Sequence, residues 1–284
     1  MRHIALPGAV EVPALGLGTW KLGESARSRA AEVAAVQRAI ELGYRVIDTA
    51  EMYGEGGAEE IVGEALRRAI AAGTVRRDEV LIVSKVYPHN ASRSGVAAAC
   101  RRSLARLGLE RIDLYLLHWP GAHPLRETVA GFEDLAGLGL IGRWGVSNFD
   151  VDDLEALWRV ENGHRCAANQ IYYSLTERGP EFALLPWHRA HGIATMAYSP
   201  IDQGRLAGHR ALARVAAAAG RSPAQIALAW VVSQDGVMAI PKAGREAHLR
   251  ENLEAAGLTL DPATQASLDV AFPPPTRKSA LAMI

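Results

Sequence analysis

Residues 80–118 read V-L-I-V-S-K-V-Y-P-H-N-A-S-R-S-G-V-A-A-A-C-R-R-S-L-A-R-L-G-L-E-R-I-D-L-Y-L-L-H. Val80 to Lys85 and Ile112 to His118 are short, continuous apolar runs of the kind that form strands covered on both faces. Between them the spacing predicts a helix over about 93–107, because Val96, Cys100, Leu104 and Leu107 recur on one helical face. Two buried strands joined by a helix form the crossover that a parallel sheet requires.

The same unit repeats in both directions along the chain. Upstream lie an initial strand near Leu15 to Gly18 and a strand from Tyr44 to Asp48; after the latter come a Gly54 to Gly57 loop and a helix over 58–72. Downstream, a helix over 125–138 follows His118. Strand Gly142 to Ser147 then precedes a helix over 150–160, with Asp150 as its N-cap. Ala168 to Ile171 precedes a helix near 180–190, Ile193 to Tyr198 precedes helices around 212–234, and Val237 to Pro241 precedes one over 246–255. Eight strands alternating with helices over this length predict a closed (β/α)8 TIM barrel, formed by residues 1–284 as a single domain. An open doubly wound sheet is the competitor. It normally brings a glycine-rich turn after the first strand, but Gly16-Leu-Gly18-Thr-Trp-Lys21 lacks the third glycine and no GxxxxGK[ST] occurs. Pro7-Gly8 between two short apolar runs in His3 to Val12 predicts an N-terminal β-hairpin plugging the barrel bottom.

Composition narrows the function. Lys plus Arg and Asp plus Glu number 31 each, so no basic field exists to hold a phosphate backbone, and nucleic acid is not an expected partner. The opening residues carry no charged segment followed by an apolar one, and no stretch is long and apolar enough for a membrane helix. The expected address is the cytoplasm and the expected state a monomer, since no heptad seam or long apolar edge asks for a partner. Cys100 and Cys166 lie far apart without CxxC spacing, which argues against a disulfide framework or a zinc site and for buried reduced thiols.

In a barrel the C-terminal strand ends carry the active site. The expected strand ends here bear Asp48, Lys85, His118, Ser147 with Asn148, Gln170, Ser199 and Lys242, and Tyr53 follows Asp48 closely. An acid, an ammonium, a phenol and an imidazole converging in one cleft suit proton delivery to a carbonyl. Taken singly, each has a plainer reading: Asp48 and Lys85 a buried ion pair, His118 a satisfied core histidine, Tyr53 a loop aromatic over the barrel mouth. The convergence of all four favours the catalytic reading. A metal is poorly served, because the four offer one imidazole and one carboxylate beside a repelling lysine.

The motifs G-L-G-T-W (16–20), V-I-D-T-A-E-M-Y-G-E-G (46–56), L-I-V-S-K-V (81–86), D-L-Y-L-L-H-W-P (113–120), G-V-S-N-F (145–149), N-Q (169–170), A-Y-S-P (197–200) and I-P-K-A-G through R-E-N-L (240–253), in this order, span nearly the whole chain. This sequence strongly resembles the aldo-keto reductases, and within them the short bacterial branch that includes methylglyoxal reductases. The resemblance implies carbonyl reduction with NADPH/NADP+ as hydride source, with a small-molecule carbonyl compound as partner. It implies Tyr53 as general acid, Lys85 lowering the phenol's pKa, Asp48 holding the ammonium, and His118 hydrogen-bonding the carbonyl oxygen. Gly18, Thr19, Trp20 and Asp48 would be dinucleotide contacts. Ser147, Asn148 and Gln170 would bond the carboxamide, and Tyr198 would stack on the ring. Ser199, Pro200 and Ile201 on to Leu206 would run along the pyrophosphate. Ile240, Pro241 and Ala243 would be further dinucleotide contacts, Lys242 and position 248, here His248, would reach the adenosine 2′-phosphate, and Glu251 and Asn252 would bond the adenine. The chain departs from the family pattern at His248, where an arginine is usual, and at Ala243, where a hydroxyl is common. The resemblance therefore implies a phosphate grip resting on Lys242, with Arg245 able to compensate and His248 adding pH dependence.

Trp20, Tyr53, Tyr87, His118 and Trp119 would wall the substrate pocket. The long loops that roof larger pockets are missing between Pro200 and Leu206, so a shallow pocket for small aldehydes and dicarbonyls, methylglyoxal and aromatic aldehydes among them, is expected. Two other readings remain open. A regulatory subunit of this fold could bind NADP(H) with little turnover, and a barrel hydrolase or isomerase could keep the acids and His118 without needing Lys242.

Overall fold

The computed structural model, which describes residues 1–206 and 208–284, contains the eight expected strands, each paired in parallel with its sequence neighbour. In chain order the elements are the hairpin strands β1 (His3–Leu6) and β2 (Val10–Pro13), then β3 (Leu17–Gly18), α1 (Arg29–Glu41), β4 (Val46–Asp48) and α2 (Gly57–Ala71). They continue with β5 (Leu81–Val86), α3 (Arg93–Leu107), β6 (Ile112–Leu117), α4 (Leu125–Gly137), β7 (Ile141–Ser147), α5 (Val151–Trp158) and β8 (Ala168–Tyr172). The last are α6 (Leu184–His191), β9 (Ala194–Tyr198), α7 (Arg210–Ala218), α8 (Pro223–Ser233), β10 (Val237–Ala239), α9 (Glu246–Ala256) and α10 (Pro262–Ala271).

The sheet closes on itself. Parallel bridges join Leu15 to Ala239 and Gly18 to Lys242, and Gly16 N donates to Ala239 O at 2.8 Å while Gly18 N donates to Pro241 O at 3.1 Å. Closure depends on the glycine, because a Cβ at residue 18 would lie 2.6 Å from the Ile240 carbonyl oxygen. The β1–β2 hairpin sits at the end where strands begin: Arg143, near the start of β7, donates Nε to Pro7 O at 2.7 Å, and Arg2 Nη1 donates to Ser233 O at the end of α8. Ile4, Leu6 and Val12 of the hairpin are buried in the same apolar cluster as the strands. This is the barrel, plugged at its bottom, that the strand pattern predicts.

The helices follow the expected positions with three differences. Helix α1 is additional; its buried residues are Val33, Val36, Ala39 and Ile40, and the alanine-rich sequence around them gives little contrast between faces. Helix α10 is additional for a related reason, since it buries only Leu268. The helix expected from about residue 180 starts at Leu184 after a short 3-10 turn over Gly179–Glu181. Asp150 caps α5, accepting from Val151 N at 2.7 Å. Cys100 and Cys166 are buried free thiols, each pushed up to about 12 by desolvation. Among the described residues, no single helix is long and apolar enough to cross a membrane.

Candidate active site

Parallel strands deliver their last side chains to one rim, and here that rim gathers the four residues. Asp48 ends β4, Lys85 lies next to the end of β5, and His118 follows β6 directly. Lys85 is fully buried, and its ammonium donates to Asp48 Oδ2 at 2.8 Å, to the Thr49 carbonyl at 2.9 Å and to the Tyr53 hydroxyl at 3.2 Å. Three acceptors use all three of its hydrogens. Asp48 is completed from the other side by Gln170 Nε2, donating to Oδ1 at 2.7 Å. The His118 ring meets the Tyr53 ring edge-on, with centroids 5.7 Å apart.

Tyr53 is placed by its turn. Gly54 takes φ +58°, where L side chains are rare, and a Cβ there would lie 2.7 Å from the carbonyl carbon of Gly23. The turn thus packs backbone to backbone on the loop after β3. Glu51, which is 4% exposed, holds the same turn to the loop after β5: its Oε1 accepts from Tyr87 N at 2.8 Å and from Asn90 Nδ2 at 3.0 Å, and its Oε2 from Arg102 at 3.3 Å. Glu59, fully buried, accepts from Ser84 Oγ at 2.6 Å, immediately behind Lys85, and pairs with Arg106 at 2.5 Å. Sequence reasoning passed over both glutamates. The V-I-D-T-A-E-M-Y run contained Glu51, but its spacing does not tell a clamp from a solvated acid.

Burial governs the protonation states. It pushes Asp48 up and Lys85 down, and their mutual attraction opposes both shifts. Burial also pushes the Tyr53 phenol well above its usual value near 10, and the Asp48 charge adds to this, so the expected depression by Lys85 does not prevail. His118 is held well below 6.5 by burial and by the Lys85 charge and is neutral at physiological pH. Its Nδ1 is buried without a hydrogen-bond partner among the described residues.

Above these groups opens a cavity of about 480 Å³. Of the residues named from the sequence, Gly18, Trp20, Asp48, Tyr53, His118, Trp119, Ser147, Asn148 and Gln170 line it. So do Tyr198, Ser199, Pro200, Ile201, Ile240, Pro241 and Lys242. Lys85 lies beneath the wall. Thr19 is buried behind it, with Oγ1 donating to Asp48 O at 2.9 Å, and Leu206 and Ala243 are also buried. Tyr87 stands outside the lining, near Trp119 and His89, with ring centroids 6.0 and 4.6 Å away. His248 is exposed, its Nε2 2.6 Å from Arg245 Nη2; Glu251 accepts from Ser222 Oγ; Asn252 is 5% exposed and its Nδ2 has no partner among the described residues. Lys21, Met52, Gln203, Gly204 and Ile284 line the cavity and were not singled out from the sequence. Their arrival depends on loop paths that periodicity does not specify.

The polar groups of the wall bond one another, with Asn148 Nδ2 donating to His118 O at 3.3 Å and to Ser147 Oγ at 3.2 Å. Ser147 Oγ donates to Gln170 O at 2.9 Å, Asn148 Oδ1 accepts from the Tyr198 hydroxyl at 3.0 Å, and the Tyr198 ring stacks on Tyr172 at 5.8 Å. Gln170 Oε1 accepts no hydrogen bond among the described residues and is available to a ligand N–H. Among the described residues, no group of three His, Cys, Asp or Glu side chains could hold a metal ion.

The family model for the aldo/keto reductase family matches residues 14–271. Methylglyoxal reductase YeaE of Escherichia coli is 48% identical, covering 100% of this chain and 99% of its own length. The uncharacterized oxidoreductase YtbE of Bacillus subtilis is 36% identical over 87% of this chain and 84% of its own. Among solved structures, an aldo/keto reductase from Klebsiella pneumoniae in complex with NADP and acetate superposes with a TM-score of 0.94 at 46% identity, covering 99% of each chain. The thermostable aldo-keto reductase Tm1743 with the inhibitor epalrestat gives 0.89 at 37% identity, over 95% of this chain and 100% of that one.

Proposed function

This chain belongs to the aldo/keto reductase family and is an NADP-dependent oxidoreductase, and from that premise we propose that it reduces small aldehydes and methylglyoxal-type dicarbonyls to alcohols, with Tyr53 as the proton donor. The observation that carries the reading is the buried chain from Gln170 through Asp48 and Lys85 to the Tyr53 hydroxyl, ending at the floor of the cavity.

When bound, NADPH supplies the hydride. Ser147, Asn148 and Gln170 would hold its carboxamide, Tyr198 would shield one face of its ring, and Lys242 on the cavity wall would meet the 2′-phosphate. The chain's own residues handle the oxygen. The Tyr53 phenol and the neutral His118 ring both face the cavity and can hydrogen-bond a carbonyl oxygen there, orienting it and drawing electron density from the carbon. As negative charge builds on that oxygen, the phenol releases its proton to it. The phenolate so formed lies against the Lys85 ammonium, 3.2 Å away, and that charge is balanced by Asp48. Lys85 therefore stabilises the product of proton transfer even though the resting phenol is a weak acid.

The cavity also bears on substrate size. The walls beside Tyr53 are Trp20, Met52 and Trp119, apolar surfaces that suit small aldehydes and single aromatic rings. The test is NADPH oxidation with methylglyoxal, run beside Tyr53→Phe and with NADH in parallel. The expected result is turnover with NADPH at higher kcat/KM than with NADH, and a loss of roughly 10²–10⁴-fold in the variant. A panel in which methylglyoxal and simple aldehydes are inert, or a variant as fast as the unchanged enzyme, would overturn the proposal.

A further inference from the structure

His188 lies on α6, outside the sheet, and is 1% exposed. Its ring bridges two strands: Nδ1 is 2.8 Å from Thr195 Oγ1 on β9, and Nε2 is 3.0 Å from Asn169 Nδ2 on β8. Asn169 is fully buried and grips the main chain of Phe149 at two points. Its Nδ2 donates to Phe149 O at 2.8 Å, and its Oδ1 accepts from Phe149 N at 3.4 Å. That grip decides which end of the amide is nitrogen. One Nδ2 hydrogen goes to Phe149 and the other points at His188, so Nε2 must be the acceptor. The ring proton therefore sits on Nδ1 and is donated to Thr195. Burial, with the Arg189 and His191 charges nearby, keeps this imidazole down at about 3, so it stays neutral in the working range.

Phe149 ends the turn that begins with Ser147 and passes through Asn148. Asn148 has φ +59°, in the left-handed region that asparagine enters more readily than other non-glycine residues. On one side Gln170 holds the turn, its carbonyl accepting from Asn148 N at 2.8 Å and from Ser147 Oγ at 2.9 Å. On the other side Asn169, backed by His188, holds the Phe149 main chain, while the Tyr198 hydroxyl donates to Asn148 Oδ1 at 3.0 Å and Asn148 Nδ2 donates to His118 O at 3.3 Å. We infer that His188 is a positioning residue for the dinucleotide amide site: by orienting Asn169 it holds the 147–149 turn in the shape that presents Ser147 and Asn148 to the cavity. This rests on the reading of the cavity as the nicotinamide site. His188 does not line the cavity; it bonds Thr195 as well as Asn169, and the positioning inferred here runs through Asn169.

The inference is tested by NADPH fluorescence titration and methylglyoxal kinetics on the unchanged enzyme, His188→Phe and His188→Gln. Removing the acceptor leaves a buried Asn169 N–H unpaired, so His188→Phe is expected to raise the NADPH Kd roughly tenfold while the methylglyoxal KM at saturating NADPH stays within about twofold. Gln places an amide oxygen near the position of Nε2 and is expected to recover most of the affinity. An unchanged NADPH Kd in His188→Phe, or a Gln variant as weak as the Phe variant, would overturn the inference and leave the nicotinamide reading standing. An unchanged enzyme that binds no NADPH would overturn both. Should His188→Phe fail to fold, nitrogen-15 correlation spectra of the histidine rings in the unchanged enzyme decide. A persistent neutral Nδ1–H tautomer of His188 that does not titrate between about pH 5 and 8 supports the relay, and an Nε2–H tautomer sinks it.

Discussion

A phenol held above its ordinary pKa keeps its proton from water but can still yield it to an alkoxide, which is far more basic. Tyr53 is in that position, and the ammonium that will stabilise its conjugate base is already bonded to it. Lys85 in turn has no access to solvent, so its charge is sustained by Asp48, the Thr49 carbonyl and the Tyr53 hydroxyl, with the Glu59 charge behind. Replacing it should therefore damage both stability and chemistry. Lys85→Met leaves Asp48 charged, buried and without its cation, and is expected to lower unfolding stability by about 3–5 kcal/mol. Denaturant titration checks this, and adding Asp48→Asn to the same variant should return part of the loss. If the single variant is as stable as the parent, the pair is not the buried ion pair its geometry describes. These residues were legible in the sequence because each occupies a strand end or the turn beside it. Their protonation states were not, because desolvation is set by everything packed around them.

The turn over residues 53–56 and the two loops against it form the element that aims the acid. Gly54 and Gly23 approach too closely for any side chain, and Glu51 ties the turn to the backbone of Tyr87. Gly54→Ala must strain the left-handed backbone and move one loop away from the other. The expected outcome is a fall in kcat with methylglyoxal of roughly tenfold or more, since small displacements of a reacting group are costly. Far-ultraviolet circular dichroism should stay unchanged, because the strands do not depend on this contact. Activity equal to the parent's would mean that the turn tolerates the shift and does not aim Tyr53. The G-E-G-G sequence announced a tight turn. It did not announce the partner loop, which lies 31 residues earlier at Gly23.

At the scale of the whole barrel, the buried titratable side chains set the pH range of stability. His118 and His188 are both held below 6.5. Between that value and their folded values the unfolded chain binds protons that the folded chain refuses, so stability is full above about pH 6.5 and falls as pH drops. Each histidine contributes a loss of about 1.4 kcal/mol per pH unit in that window. The alkaline limb has the opposite sign. Burial raises Tyr44, Tyr53, Tyr115 and Tyr173, so above about pH 10 the unfolded phenols ionise first and stability falls again. Urea unfolding at steps of pH checks both limbs, and His188→Gln should reduce the acid slope, which the raised Asp48 carboxyl opposes. A midpoint that does not move between about pH 6.5 and 4.5 would contradict the buried neutral histidines.

By itself the sequence determined the strand-and-helix alternation, the closed barrel and the polar residue at each strand end. These follow from local periodicity, from turn formers, and from the single rim to which parallel strands lead. Helices α1 and α10 escaped because their apolar faces are too weak to show as a pattern. Only the tertiary structure decided that Gln170 completes Asp48 across 122 residues, that Glu51 and Glu59 lie buried around the tyrosine and the lysine, and that His188 reaches the amide site through Asn169. The reason is physical: what a polar side chain does in a barrel depends on how deeply it is desolvated and on which distant strand supplies its partner, and neither is written in its neighbours along the chain.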